Sequence, residues 1–180
     1  GQNTGIDSAS NSTATGNAGP VKVKADELVI THAGTIDSSS FGLGNAGNVE
    51  VKANSLVING ADSDESAFTG ISSNAFGNVK IESNTLSLIE SGRIASNTTG
   101  DGNAGNVDVI ANQIYINGNN YPIYTGIASN TYNGKGDAGT VNVKASQINI
   151  ENAGRIGSTT RGSGRAGKIT IQADDINIDA

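Results

Sequence analysis

Apolar side chains recur at every second position in short runs, and the runs themselves recur along the chain. In Gly102–Ile116, GNAGNVDVIANQIYI, the residues Val107, Val109 and Ala111 alternate with polar or exposed positions. After a two-residue break, Ile114 and Ile116 alternate again. A period of two interrupted by a corner predicts short strands rather than helix.

The same phrase returns six times, anchored on Gly19, Gly47, Gly77, Gly105, Gly139 and Gly167. Each anchor leads into a first strand, from Val21/Val23/Ala25 up to Ile169/Ile171/Ala173, and then a second, from Leu28/Ile30 up to Ile176/Ile178. A third element places Ser two residues after Ile: Ile6/Ser8, Ile36/Ser38, Ile71/Ser73, Ile94/Ser96, Ile127/Ser129 and Ile156/Ser158. Three short strands in constant order make one coil of a solenoid. The expected fold is therefore all-β: a parallel β-helix of about six coils, right-handed because parallel crossovers overwhelmingly are.

Anchor spacings of 28, 30, 28, 34 and 28 residues put the excess in side loops, which a solenoid tolerates. The gap between second and third strands alternates, short before Ile36, Ile94 and Ile156 and long before Ile71 and Ile127. The unit is thus a two-coil super-repeat of about sixty residues. In the third coil the turn from Ser73 to Gly77 is abbreviated, and Phe76 stands where other coils carry Ala. Residues 1–180 read as a single β-helix segment with partial coils at 1–15 and 164–180. Read straight on into the N-terminus, the C-terminus completes a coil in phase. The chain is accordingly expected to be a piece of something longer, or to continue head to tail.

Positive φ is expected at the corners, with the anchor glycines at the first and Asn or Asp at the second. Asn54, Asn84 and Asn112, each following a first strand, are expected to stack as a side-chain ladder. Outward positions Lys22, Glu50, Lys80 and Asp108 alternate in charge up one column, which favours this register.

Composition fits a thin core: 35% of residues are hydrophobic and only seven are aromatic. A solenoid needs no more, because each coil encloses one layer of aliphatic side chains. The absence of cysteine removes disulfide and thiol chemistry. A net charge of -6 argues against a nucleic-acid or anionic-membrane partner. No apolar run approaches the ~20 residues of a membrane-spanning helix.

The GNAG-Asn-Val-x-Val-x-Ala-x-x-Leu-x-Ile phrase with its following Gly-x-Ile-x-Ser resembles the repeats of filamentous-haemagglutinin-like exoproteins. These are bacterial adhesins exported by two-partner secretion, with related cyanobacterial surface proteins. The likeness is clearest at Gly44–Ile58, Gly102–Ile116 and Gly16–Ile36 and covers essentially the whole chain. It implies a right-handed parallel β-helix, an extracellular or cell-surface location, and a stalk, filament or adhesive role. Expected partners are copies or flanking coils of the same protein, and glycans or host cell-surface molecules.

Candidate chemistry is sparse. Asp62, Asp64 and Glu65 share a long loop and offer hard oxygen ligands for weak Ca²⁺ binding, but without the EF-hand spacing a solvated acidic loop is the plainer reading. No other cofactor is expected. Tyr115, Tyr121, Tyr124 and Tyr132 gather in one region of sequence and suit contact with carbohydrate or protein, against a plainer reading as loop packing. A carbohydrate-binding or carbohydrate-active domain using the side loops is the alternative function. Catalysis would need carboxylates converging with a basic residue, and Asp7, Asp37, Arg93 and Arg155 fall too many coils apart. His32 reads as a turn residue, and no regular outward Thr rank supports ice binding. An enzyme is not expected.

Overall fold

The computed structural model describes residues 4–61, 67–119 and 124–180. Its strands are β1 (Thr4–Ser10), β2 (Val21–Thr31), β3 (Gly34–Ser40), β4 (Val49–Asn59), β5 (Thr69–Asn74), β6 (Val79–Ile89) and β7 (Gly92–Thr98). They continue with β8 (Val107–Asn117), β9 (Thr125–Thr131), β10 (Val141–Lys144), β11 (Gln147–Glu151), β12 (Gly154–Thr160), β13 (Ile169–Gln172) and β14 (Asp175–Asp179). The described residues contain no helix.

Every strand pairs in parallel with its counterpart one coil away, which makes the chain a β-solenoid of about six turns. One sheet runs β1-β3-β5-β7-β9-β12, and the other carries β2-β4-β6-β8-β10-β13 with β11 and β14 continuing it. The first and second strands of a coil are not separate in β2, β4, β6 and β8. There the expected break is a bend within one 11-residue strand, and pairing skips Asp26, Asn54, Asn84 and Asn112. A full break occurs only between β10 and β11 and between β13 and β14.

The aliphatic rows stack in the expected register. Ile36 lies between Ile6 and Ile71, and Ile94, Ile127 and Ile156 continue the row. Val49, Val79, Val107 and Val141 form the facing column and are fully buried, as are Leu56, Leu88, Ile114 and Ile148 to within a hundredth of their surface. Each such burial is worth roughly 1.5–3 kcal/mol before chain entropy is counted. At the ends of the stack the same rows meet solvent: Ile6 is 51% exposed and Ile178 73%.

Two expectations about the corners are corrected. None of Asn54, Asn84 or Asn112 takes positive φ; each side chain is exposed at the bend, outside the ladder. Left-handed pairs instead turn the second strand into the third at His32-Ala33, Glu90-Ser91 and Asn152-Ala153. The anchor glycines also have ordinary φ, and they are glycine for a different reason. A Cβ on Gly47, Gly105, Gly139 or Gly167 would strike the carbonyl of the anchor glycine one coil below. The amide ladder exists one residue after the anchor, where Asn48, Asn78 and Asn106 side chains accept from the next coil's Asn78, Asn106 and Thr140 N–H groups at 2.8 to 3.0 Å.

On the outer face Lys22 pairs with Glu50 at 3.1 Å, as the alternating charges suggest. Lys80 instead joins Glu82 two residues along its own strand at 2.7 Å, and Glu82 also receives Lys52 at 3.0 Å. Hydrogen bonds and charge from these two lysines hold the Glu82 carboxyl down at about 2.

Candidate functional site

The third-strand serines tie the two sheets together. Ser38, Ser96, Ser129 and Ser158 each donate from Oγ to the anchor carbonyl of their own coil, at Gly19, Gly77, Gly105 and Gly139, over 2.9 to 3.0 Å. Each also accepts from the anchor N–H of the next coil, at Gly47, Gly105, Gly139 and Gly167, over 2.8 to 2.9 Å. Ser8 accepts from Gly19 N–H at 2.9 Å, and Ser73 donates to Gly47 at 2.8 Å. A small hydroxyl that both donates and accepts is what a buried corner with one free carbonyl and one free N–H requires. The repeated Ile-x-Ser spacing carried this signal, though nothing in the sequence alone said what the serine bonds to.

Two arginines, Arg93 and Arg155, stand on the outer face of the first sheet. Arg93 Cζ lies 4.6 Å from the centroid of the Phe68 ring and 5.7 Å from that of Tyr124, and Arg93 donates to the Ala67 carbonyl at 2.6 Å. Arg155 Cζ lies 4.8 Å from the centroid of the same Tyr124 ring. These contacts clamp the side loops onto the sheet, on a face where Ala95 and Ala128 are completely buried. Burial lowers the Arg93 pKa. Burial, reinforced by Tyr132, pushes the Tyr124 phenol up to about 12 against the opposing pull of Arg93 and Arg155.

The tyrosines therefore do not form one patch. Tyr124 is engaged by the arginines, while Tyr115 stands on the other sheet, donating to Glu151 at 3.1 Å and accepting from Asn117 at 2.6 Å. Tyr132 lies near Arg161 at the loop edge, its ring centroid 5.5 Å from the guanidinium carbon. Tyr121 falls outside the described residues, as do Asp62, Asp64 and Glu65. Among the described residues no group of three acidic or histidine side chains is placed to hold a metal.

Asp7 and Asp37 are stacked neighbours, and Ser39 donates to Asp37 at 2.7 Å. Burial raises the Asp37 pKa, the Ser39 bond opposes this, and Asp7 adds to it. Arg93 is two rungs from Asp37, across Gly70, and the pair has no basic partner in register.

A feature the sequence reading passed over is a cleft of about 690 Å³ at the abbreviated turn. Phe41, Leu43 and Phe76 line it together with Asn97, Asp101 and Tyr132. The signal was present in the sequence: the Ser-to-Gly interval is four residues at Ser73–Gly77 and nine at Ser38–Gly47 and Ser96–Gly105.

The fold and these contacts define a parallel β-solenoid whose side loops are clamped by arginine. No family model, curated protein or solved structure matches the chain.

Proposed function

We propose that this chain is a rod-forming segment of a secreted bacterial surface protein, with a structural role in a stalk or filament and adhesion as the purpose of its display. The observation that carries the reading is the pair of unbroken parallel ladders along one axis, closed around a single aliphatic column. Backbone hydrogen bonds aligned with the axis resist extension together, and side loops hang outside the load path. The exoprotein-like repeat phrase supports the extracellular location.

The end faces of the described stack also suit one another, which supports continuation by a second copy. In the row before the third-strand Ile, glycine alternates with a larger residue: Gly5, Thr35, Gly70, Arg93, Gly126, Arg155. A second copy's Gly5 on Arg155 keeps that alternation. Its Ser8 then meets the Gly167 carbonyl, the position at which Ser158 meets Gly139 one coil earlier. Its β1 also completes the coil begun by β13 and β14.

The carbohydrate reading through the tyrosine loops has less support, because the Tyr124 ring is taken up by Arg93 and Arg155. Electron microscopy of the purified chain tests the proposal. Filaments of one-molecule width, with lengths in steps of about 29 Å for six rungs, support it. Isolated particles at every concentration oppose it.

A further inference from the structure

The loops beside the third strands stack on one another in two blocks, and the abbreviated turn separates them. Below it, Phe41 and Leu43 donate to the coil beneath, at Ser10 and Ala14, over 3.0 and 3.1 Å. Above it, Tyr132 donates to Thr98 at 2.8 Å, Arg161 to Thr131 at 2.9 Å and Ser163 to Gly134 at 3.1 Å. Between the blocks, Asn74-Ala75-Phe76-Gly77 crosses directly, five residues shorter than the turns on either side. Two loop edges consequently face each other two rungs apart, about 9.6 Å, with the place of one rung left open between them.

The upper edge is built for a backbone neighbour beneath it. A Gly-x-Gly phrase recurs in these turns as Gly42/Gly44, Gly100/Gly102, Gly134/Gly136 and Gly162/Gly164. Within each block these glycines are forced by a main-chain carbonyl beneath: Gly42 on Ala14, Gly44 on Gly16, Gly134 on Gly100, Gly136 on Gly102, Gly162 on Gly134 and Gly164 on Gly136. At the cleft the contact is missing: Gly100 has nothing within 4 Å of its Cβ position, and Gly102 meets only the Phe76 ring. The lower edge presents Phe41 at 67% exposure and Leu43 at 89%, beside Phe76 at 46%. Three large apolar side chains left in water around one recess are unusual for a surface this polar.

We propose that this cleft binds an extended peptide of about five to seven residues. The peptide enters as the missing rung, pairing its main chain with the Gly42–Gly44 edge below and the Thr99–Asp101 edge above, beside the Phe76 ring that fills the place under Gly102. Its apolar side chains lie over Phe41, Leu43 and Phe76. Strand addition to an unpaired edge supplies the affinity, and the two-sided slot supplies the register. Main-chain recognition is favoured over a sugar because the recess is bounded by loop backbone on two faces at rung spacing. This inference is independent of whether copies stack end to end, since the cleft lies between inner coils.

The probe is a fluorescein-labelled heptapeptide Ser-Phe-Gly-Leu-Gly-Asn-Ala, the sequence of residues 40–46, followed by anisotropy. Saturable binding is expected, and none for the same peptide with both glycines replaced by proline, which lacks the N–H groups. Gly100→Leu should weaken binding at least tenfold by filling the slot from above. Replacing Ala75-Phe76 by that same heptapeptide sequence restores the nine-residue interval and should abolish binding while raising the melting temperature. No binding up to millimolar peptide, equal binding of the proline peptide, or binding unchanged in both variants would overturn the proposal. So would a neutral oligosaccharide whose binding is lost in both variants while the peptide fails to bind.

Discussion

The Ser96 hydroxyl accepts a hydrogen bond from the Gly105 N–H at 2.9 Å while donating to the Gly77 carbonyl at the same distance. One side chain thereby joins two successive coils at their shared corner, and it does so with no exposed surface. Ser96→Ala strands a buried donor and a buried acceptor. A loss of about 2–4 kcal/mol is expected from urea unfolding. Ser8→Ala, which breaks a single bond to Gly19 at the end of the stack, should cost about 0.5–1.5 kcal/mol. Equal effects would show that the relay does not carry the corner.

Glycines in equivalent-looking turns should respond differently. Gly105→Ala drives a methyl group into the Gly77 carbonyl and should cost about 2–3 kcal/mol by thermal or urea unfolding. Gly100→Ala meets open space at an ordinary φ and should fall within about 0.5 kcal/mol of wild type.

This contrast marks what a repeat discloses and what it hides. Period-two Val and Ile positions disclosed the inward rows, because burial demands the same residue types at the same phase in every coil. Ser38, Ser96 and Ser129 were visible as a repeat, but their partners are anchor glycines whose meeting depends on how the coil closes in space. Asn54, Asn84 and Asn112 look like a ladder because they recur in phase, yet the strand bends there and turns them to solvent. The working ladder is Asn48, Asn78 and Asn106, one residue past each anchor, where the next coil's N–H arrives. The tyrosines cluster in sequence, but Tyr115 lies on β8 while Tyr124 lies just before β9 of the other sheet, because a coil carries neighbouring residues around the axis. The cleft was written in a shortened Ser-to-Gly interval, and a deletion announces only length, whereas its consequence is two facing loop edges.

Alkaline stability should report on the arginine clamp. The Tyr124 phenol titrates at about 12 in the folded chain against an ordinary 10.0, so the folded state holds its proton after the unfolded state has released it. Stability that is intact below pH 10 is therefore lost as pH rises from 10 towards 12. Tyr124→Phe should remove that part of the slope in urea unfolding across this range. Phenolate ultraviolet absorbance of the wild type should show a step near pH 12 that Tyr124→Phe lacks, and its absence would contradict the buried clamp.

Because the chain has no cysteine, stacking in the proposed register can be read from one covalent bond. Asp7 lies outward on β1 and Gly157 outward on β12, in one row that passes through Asp37, Ser72, Ala95 and Ala128. Within one molecule they are five rungs apart, about 24 Å, which no disulfide spans. Across a stacked junction they are direct neighbours at about 4.8 Å, inside the range a disulfide accepts. Mild oxidation of the Asp7→Cys/Gly157→Cys variant, run on a non-reducing denaturing gel, should give a ladder of dimers, trimers and longer chains. Monomer alone, under conditions where both thiols react freely with a small reagent, would contradict end-to-end stacking as the way this protein builds a rod.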